Sequence, residues 1–244
     1  MVISAQPLID TFVFRTAMYV RSLYNKHLDC SKENNMKKKT TGRFFVWACT
    51  ALFSLSLATG AWAADVNKLV EDCANCHGKD GASTDKDVPI IGGNSVTYLT
   101  GTFANYKNKS RPCPEVKYLA GAQKGKATDM CKIVKELSAA ELKLIAEYFA
   151  AKPFVRAKQT FDPALAKKGD AIHEKSCKKC HADGGSLASD DSGILAGQWM
   201  PVIRQQFKEF SAGQRTMDKK MKPKYEKLTP ADLEALVNYY GSFK

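Results

Sequence analysis

The chain has 244 residues and a formal net charge of +12, from 37 Lys/Arg and 25 Asp/Glu. Much of the excess lies at the amino end: residues 64–244 hold 29 basic and 22 acidic side chains, a net charge of +7. The charge is therefore no argument for nucleic-acid binding. No apolar stretch has the length and flanks of a stable membrane span.

Residues 1–35 carry no turn pattern or capping logic and read as a non-native or disordered extension. Residues 36–63 read as an export signal. Lys37, Lys38, Lys39 and Arg43 form its basic start, Phe44 to Thr59 its apolar stretch, and Ala61-Trp62-Ala63 its cleavage site. The mature chain then begins at about Ala64, in the periplasm. The alternative is an uncleaved N-terminal anchor.

Cys73-Ala74-Asn75-Cys76-His77 is the first of two Cys-x-x-Cys-His motifs; the second is Cys177-Lys178-Lys179-Cys180-His181. Two thiols one helical turn apart can each add to one vinyl group of a porphyrin, and the adjacent His reaches the iron. Two motifs predict two covalent haem c groups, on Cys73 and Cys76 and on Cys177 and Cys180. A zinc ribbon would place its cysteine pairs roughly 15–20 residues apart; these lie 104 apart. Four haem propionates would lower the net charge to about +3 if all are ionised.

The chain repeats itself. At an offset of 104, Gly81 falls on Gly185, Gly93 on Gly197, Phe103 on Phe207, Tyr106 on Phe210 and Arg111 on Arg215. After Met130 the offset is 91, so the first copy holds 13 extra residues between Arg111 and Met130. Of eight cysteines, Cys30 and Cys49 precede the cleavage site and four serve the motifs, which leaves Cys113 and Cys131 as the disulfide candidate. Such a loop would stabilise by about 3 kcal/mol; the alternative is two buried free thiols. The insertion is expected to be a surface loop.

Each repeat predicts three helices and no strand. The first covers Val66–Cys76 or Ala164–Cys180, the second Ser95–Lys107 or Met200–Ser211. The third opens with a capping pattern at Ser138 or Thr229. The fold class is all-α: two tandem domains, 64–151 and 164–244, each a small helical bundle around a covalent haem c, joined by a linker at 152–163. The porphyrin supplies apolar surface that so small a unit lacks.

His77 and His181 are the expected proximal iron ligands. Met130 and Met221 each lie seven residues before the Leu-Ser/Thr that opens the third helix. Both are expected in loops, as the sixth ligands. Met217 is a rival to Met221, and Met200 reads as core. His173, four residues before Cys177, reads as a partly exposed surface histidine or as a group behind the haem site. No catalytic constellation is visible, which favours electron transfer. Charge is uneven: net +1 over 64–151 and +6 over 152–244. Lys175, Lys178, Lys179, Lys219, Lys220, Lys222 and Lys224 flank the second motif and Met221. They could ring one haem edge and steer an acidic redox partner, or be an ordinary solvated face.

The mature chain resembles the dihaem cytochrome subunit of flavocytochrome c sulfide dehydrogenase. The likeness is carried by Ala157-Lys158-Gln159-x-Phe161-Asp162-x-Ala164-Leu165-Ala166, His173-x-Lys175-x-Cys177-x-Lys179-Cys180-His181, Gly193-Ile194-Leu195-Ala196-Gly197-Gln198-Trp199 and Lys219-Lys220-Met221. It implies tandem class I cytochrome c domains with His77/Met130 and His181/Met221 as axial pairs. It also implies a separate flavoprotein subunit whose FAD oxidises sulfide, and a soluble cytochrome or oxidase as acceptor. The Cys113–Cys131 insertion departs from that family. Dihaem cytochromes of the c4 type share the plan as free carriers to terminal oxidases. An enzyme acting directly at haem, such as a thiosulfate-oxidising cytochrome, is a third reading.

Overall fold

The computed structural model describes residues 59–244, with side chains from Val66 onward. The extension at 1–35, Cys30, Cys49 and the export signal up to residue 58 lie outside the described residues. Helix α1 (Thr59–His77) runs through Ala61-Trp62-Ala63 and on to the end of the first motif. A 3-10 turn (Lys79–Gly81) follows, then α2 (Val96–Lys107), α3 (Met130–Lys135) and α4 (Ala139–Ala150). The second half holds α5 (Pro163–Ser176), a short kinked α6 (Ala182–Gly185), a 3-10 turn (Ala188–Asp190), α7 (Met200–Ser211), a short α8 (Lys222–Tyr225) and α9 (Pro230–Gly241). Each half thus has more short helices than the three predicted.

The helix starts follow local chemistry. Ser138 accepts from Glu141 N while Glu141 reaches back to Ser138 N, and Thr229 and Asp232 repeat this box at α9. Asp162 caps α5 ahead of Pro163, which needs no N–H donor there. Ser138→Ala is expected to cost about 1 kcal/mol of stability in a denaturant titration of the holoprotein.

In the first half α1, α2 and α4 enclose Val70, Leu99, Phe103, Val134, Ile145 and Phe149. In the second, α9 lies across α5 and α7 around Ile203, Leu236, Val237 and Tyr240. The loops mirror one another. Gly93 N donates to Phe149 O and Gly197 N to Tyr240 O, both at 2.8 Å. Ile91 N bonds Gly81 O at 2.9 Å, and Leu195 N bonds Gly185 O at 2.8 Å.

The insertion is not strandless, as the sequence suggests. β1 (Val116–Lys117) and β2 (Ala127–Thr128) pair antiparallel, and a disulfide joins Cys113 to Cys131. Tight glycine turns at Gly121 (φ 72°) and Gly125 (φ 82°) allow the reversal. The ribbon is more than a surface loop: Leu119 N and Ala120 N donate to Asn75 O at 3.1 and 3.0 Å, so it lies on the first motif.

The two halves meet through a reciprocal bracket. The Gln198 side chain accepts from Ile90 N and donates to Ile90 O, both at 2.9 Å. Asn94, at the matching place in the first repeat, accepts from Ile194 N at 2.9 Å. Trp199 Nε1 adds a bond to Ser83 O at 3.0 Å. The segment between the halves is tied down: Ala157 N bonds Gly197 O at 2.8 Å, and the Gln159 side chain bonds Gln198 O and Met200 N at 2.8 and 2.9 Å.

Candidate functional site

His77 ends α1 and is 8 % exposed. Its Nδ1 lies 2.9 Å from Pro89 O. A carbonyl only accepts, so Nδ1 carries the proton and Nε2 keeps its lone pair. Burial pushes the imidazole pKa below its ordinary value, although the Pro89 bond opposes this. A neutral ring with a free Nε2 is what an iron ligand requires.

Cys73 and Cys76 sit one turn apart on α1, and neither is disulfide-bonded. Burial, with the Asp72 carboxylate second, pushes the Cys73 thiol up to about 12. That is the environment of an apolar pocket, opposite to that of a reactive thiolate. Met130 packs against the same core cluster as Cys73. It does not lie in a loop: Asp129 caps Lys132 N and makes Met130 the first residue of α3.

The second motif is built differently. The predicted helix to Cys180 ends at Ser176. Cys177 N and Lys178 N both donate to His173 O, at 2.8 and 3.0 Å, so the chain leaves the helical path. Cys180 N and His181 N then fold back onto Cys177 O at 3.1 and 3.0 Å. Cys177 is half-buried and Cys180 exposed. His181 Nδ1 is buried with no hydrogen-bond partner among the described residues. Burial, then His173, lowers its pKa.

Met221 sits on the turn into α8, its N–H donating to Asp218 O at 3.1 Å. Met217 lines a cavity of about 580 Å³ with Phe210, Arg215, Tyr225 and Leu228. Met200 packs against the second core, as expected. His173 overturns the surface reading: it is 0 % exposed, because α9 lays Tyr239 and Tyr240 over it, with ring centroids at 5.1 and 5.6 Å.

All seven flanking lysines are exposed. Lys178 pairs with Glu174 at 2.6 Å and Lys222 with Glu226 at 3.7 Å. The other five have no acidic partner within 4 Å among the described residues.

Two arginines escaped notice as site residues, although the repeat aligned them. Arg111 is 7 % exposed and lies 4.8 Å from the Tyr106 ring centre; its Nε has no partner. Arg215 lies 4.6 Å from the Phe210 ring and donates to Gln206 Oε1 at 3.0 Å. Burial, then Arg111, lowers the Arg215 pKa. Burial raises the Tyr98 pKa, but the two guanidiniums outweigh it. A buried cation with an orphaned donor, beside a second that is half-buried, suits an added anion. Haem propionates are such an anion, so the residues present fit the group.

Duplicated helical halves, each with paired thiols, a neutral histidine and a methionine, define a dihaem c-type cytochrome. Known proteins agree. Residues 164–239 match the family described as cytochrome C oxidase, cbb3-type, subunit III. Cytochrome c4 of Stutzerimonas stutzeri is 31 % identical over 183 residues, covering 68 % of this chain and 82 % of the relative. Cytochrome c4 of Azotobacter vinelandii is 28 % identical over 201 residues, covering 76 % and 90 %. The crystal structure of reduced recombinant cytochrome c4 from Pseudomonas stutzeri superposes with a TM-score of 0.59 at 28 % identity, covering 75 % of this chain and 98 % of that one. A thiosulfate dehydrogenase from Marichromatium purpuratum shares the fold alone, at 22 % identity and a TM-score of 0.55, covering 70 % of this chain and 36 % of that one. The chain belongs to the cytochrome c4 family, and it carries two covalently bound haem c groups. Among the described residues no helix is long and apolar enough to cross a membrane.

Proposed function

We propose that this chain is a free-standing periplasmic electron carrier of the c4 kind, passing electrons through its two haems to a terminal oxidase. In this reading residues 64–151 and 164–244 are the haem domains and 152–163 the linker. Cys73 and Cys76 hold the first haem, with His77 and Met130 on its iron. Cys177 and Cys180 hold the second, with His181 and Met221. Bound haem supplies one-electron chemistry. The chain's residues orient it, exclude water and, through Arg111 and Arg215, meet its propionates.

One observation carries the reading. A relative that is 31 % identical, matched over 82 % of its own length, is a cytochrome c4, and the Cys-x-x-Cys-His motif recurs in both halves of this chain. The test is rapid mixing of the purified holoprotein with a quinol-oxidising complex and with a terminal oxidase. Exchange with both, by a monomer free of flavin, supports the carrier.

The family match favours the carrier over the sulfide dehydrogenase subunit suggested by the resemblance. That second reading rests on the stretches Ala157–Ala166, His173–His181, Gly193–Trp199 and Lys219–Met221. Co-purification of a flavoprotein, with haem reduction only on adding sulfide, would select it. In either case the second haem is the exit. Neutralising Lys219, Lys220 and Lys224 to Gln should slow reduction of the acceptor about tenfold at low salt and flatten the dependence on ionic strength. Unchanged rates and salt slope would remove the docking role.

A further inference from the structure

His173 has no part in ligating either iron, yet it is the most enclosed titratable group of the second half, at 0 % exposure. Its Nδ1 lies 3.1 Å from the Tyr240 hydroxyl. The same hydroxyl bonds the Cys177 thiol and partly offsets the rise in thiol pKa that burial causes. Three side chains therefore form one buried polar line ending on a sulfur of the second motif. The first repeat has no such line: the matching positions are Leu69, Phe149 and Cys73. Both Leu69 and Phe149 pack in the apolar cluster there. Two apolar residues in one half stand where a hydrogen-bonded pair stands in the other.

We infer that His173 and Tyr240 are a positioning pair that raises the reduction potential of the haem on Cys177; this rests on the haem assignment proposed above. The His173 ring is enclosed by Tyr239 and Tyr240, with ring centroids at 5.1 and 5.6 Å. The tautomer with the proton on Nδ1 donates to the Tyr240 oxygen and leaves the Tyr240 O–H to donate to the Cys177 sulfur, the direction in which the hydroxyl lowers the thiol pKa. Covalent attachment turns that sulfur into a thioether, still a weak acceptor. With a haem held on that sulfur, the positive end of the hydroxyl dipole would be turned toward it. It favours the form with the extra electron, ferrous over ferric. In an apolar interior this acts more strongly than in water, and each bond in the line polarises the next.

The experiment is a spectroelectrochemical titration of the holoprotein that resolves both haems. The variants are Tyr240→Phe, His173→Leu and the double variant, which restore the first repeat's residues. Mass analysis of the Cys177 peptide confirms attachment in each. Losing one such bond should lower the reduced-to-oxidised ratio of one haem about fivefold at a fixed potential and leave the other haem unmoved. The double variant should fall short of the sum of the singles, because His173 acts through Tyr240. Unmoved midpoints with haem attached at Cys177 would overturn the inference. So would equal shifts of both haems. A Cys177 peptide without haem in the unaltered protein would instead overturn the assignment beneath it. Tyr240→Phe keeps the ring in the core and suffices if His173→Leu fails to fold.

Discussion

Met221→Ala lowers the midpoint of one haem by on the order of 0.1 V and leaves the other within error, a modest part of the roughly 0.8 V that axial ligation spans. A thioether on iron favours the ferrous state, so its loss favours the ferric state. The charge-transfer absorption of a Met-ligated ferric haem should fall to half at the same time. Met217→Leu is the companion variant. Met217 lines the cavity beside Arg215 and Tyr225, so its removal should disturb packing and leave both midpoints in place. If Met217→Leu moves a midpoint and Met221→Ala does not, the ligand is Met217. Unaltered titrations with both variants would remove both residues from the iron.

Gly169→Val destabilises the holoprotein by roughly 3 kcal/mol or prevents its accumulation. Gly169 lies where α5 crosses α9. A Cβ there would stand 2.2 Å from Ala235 O and 2.6 Å from Tyr239 Cβ, both closer than any real contact. Backbone on the far side cannot step aside without parting the helices. Gly101, on the exposed face of α2, has nothing within 4 Å of a Cβ. Gly101→Ala should stabilise by about 0.5–1 kcal/mol through the unfolded chain alone. Chemical denaturation of the two variants side by side separates close packing from helix propensity. Equal effects at the two glycines would refute the packing argument.

Local signals were legible from residues alone. The boxes at Ser138 and Thr229 reach only three residues along the chain, and the helical faces that bury Ile145, Phe149, Leu236 and Tyr240 reach about ten. The repeat placed Gly93 beside Gly197 and Arg111 beside Arg215. What stayed hidden depends on partners far away in sequence. His173 reads as polar and exposed until α9, more than 60 residues on, covers it. Nothing near Gln198 announces that its amide closes on Ile90, 108 residues back. The ribbon of the insertion has strands of two residues, too short for any alternation to show. The fraying of the second motif at Ser176 turns on which carbonyl two amides share, and residue type does not encode that choice.

The bracket of Gln198 on Ile90 and Asn94 on Ile194 has the form of an isologous contact, the kind two identical subunits make about a two-fold axis. A tether between such subunits turns their association into an intramolecular event at an effective concentration of about millimolar or more. Three side-chain bridges and a tryptophan can then hold what two free molecules could not. The same fusion ends the requirement that both copies stay alike. A free homodimer must accept every substitution twice, so it cannot give its two haems different surroundings. Fused halves can diverge, and the chain records that freedom: leucine at 69 against histidine at 173, phenylalanine at 149 against tyrosine at 240.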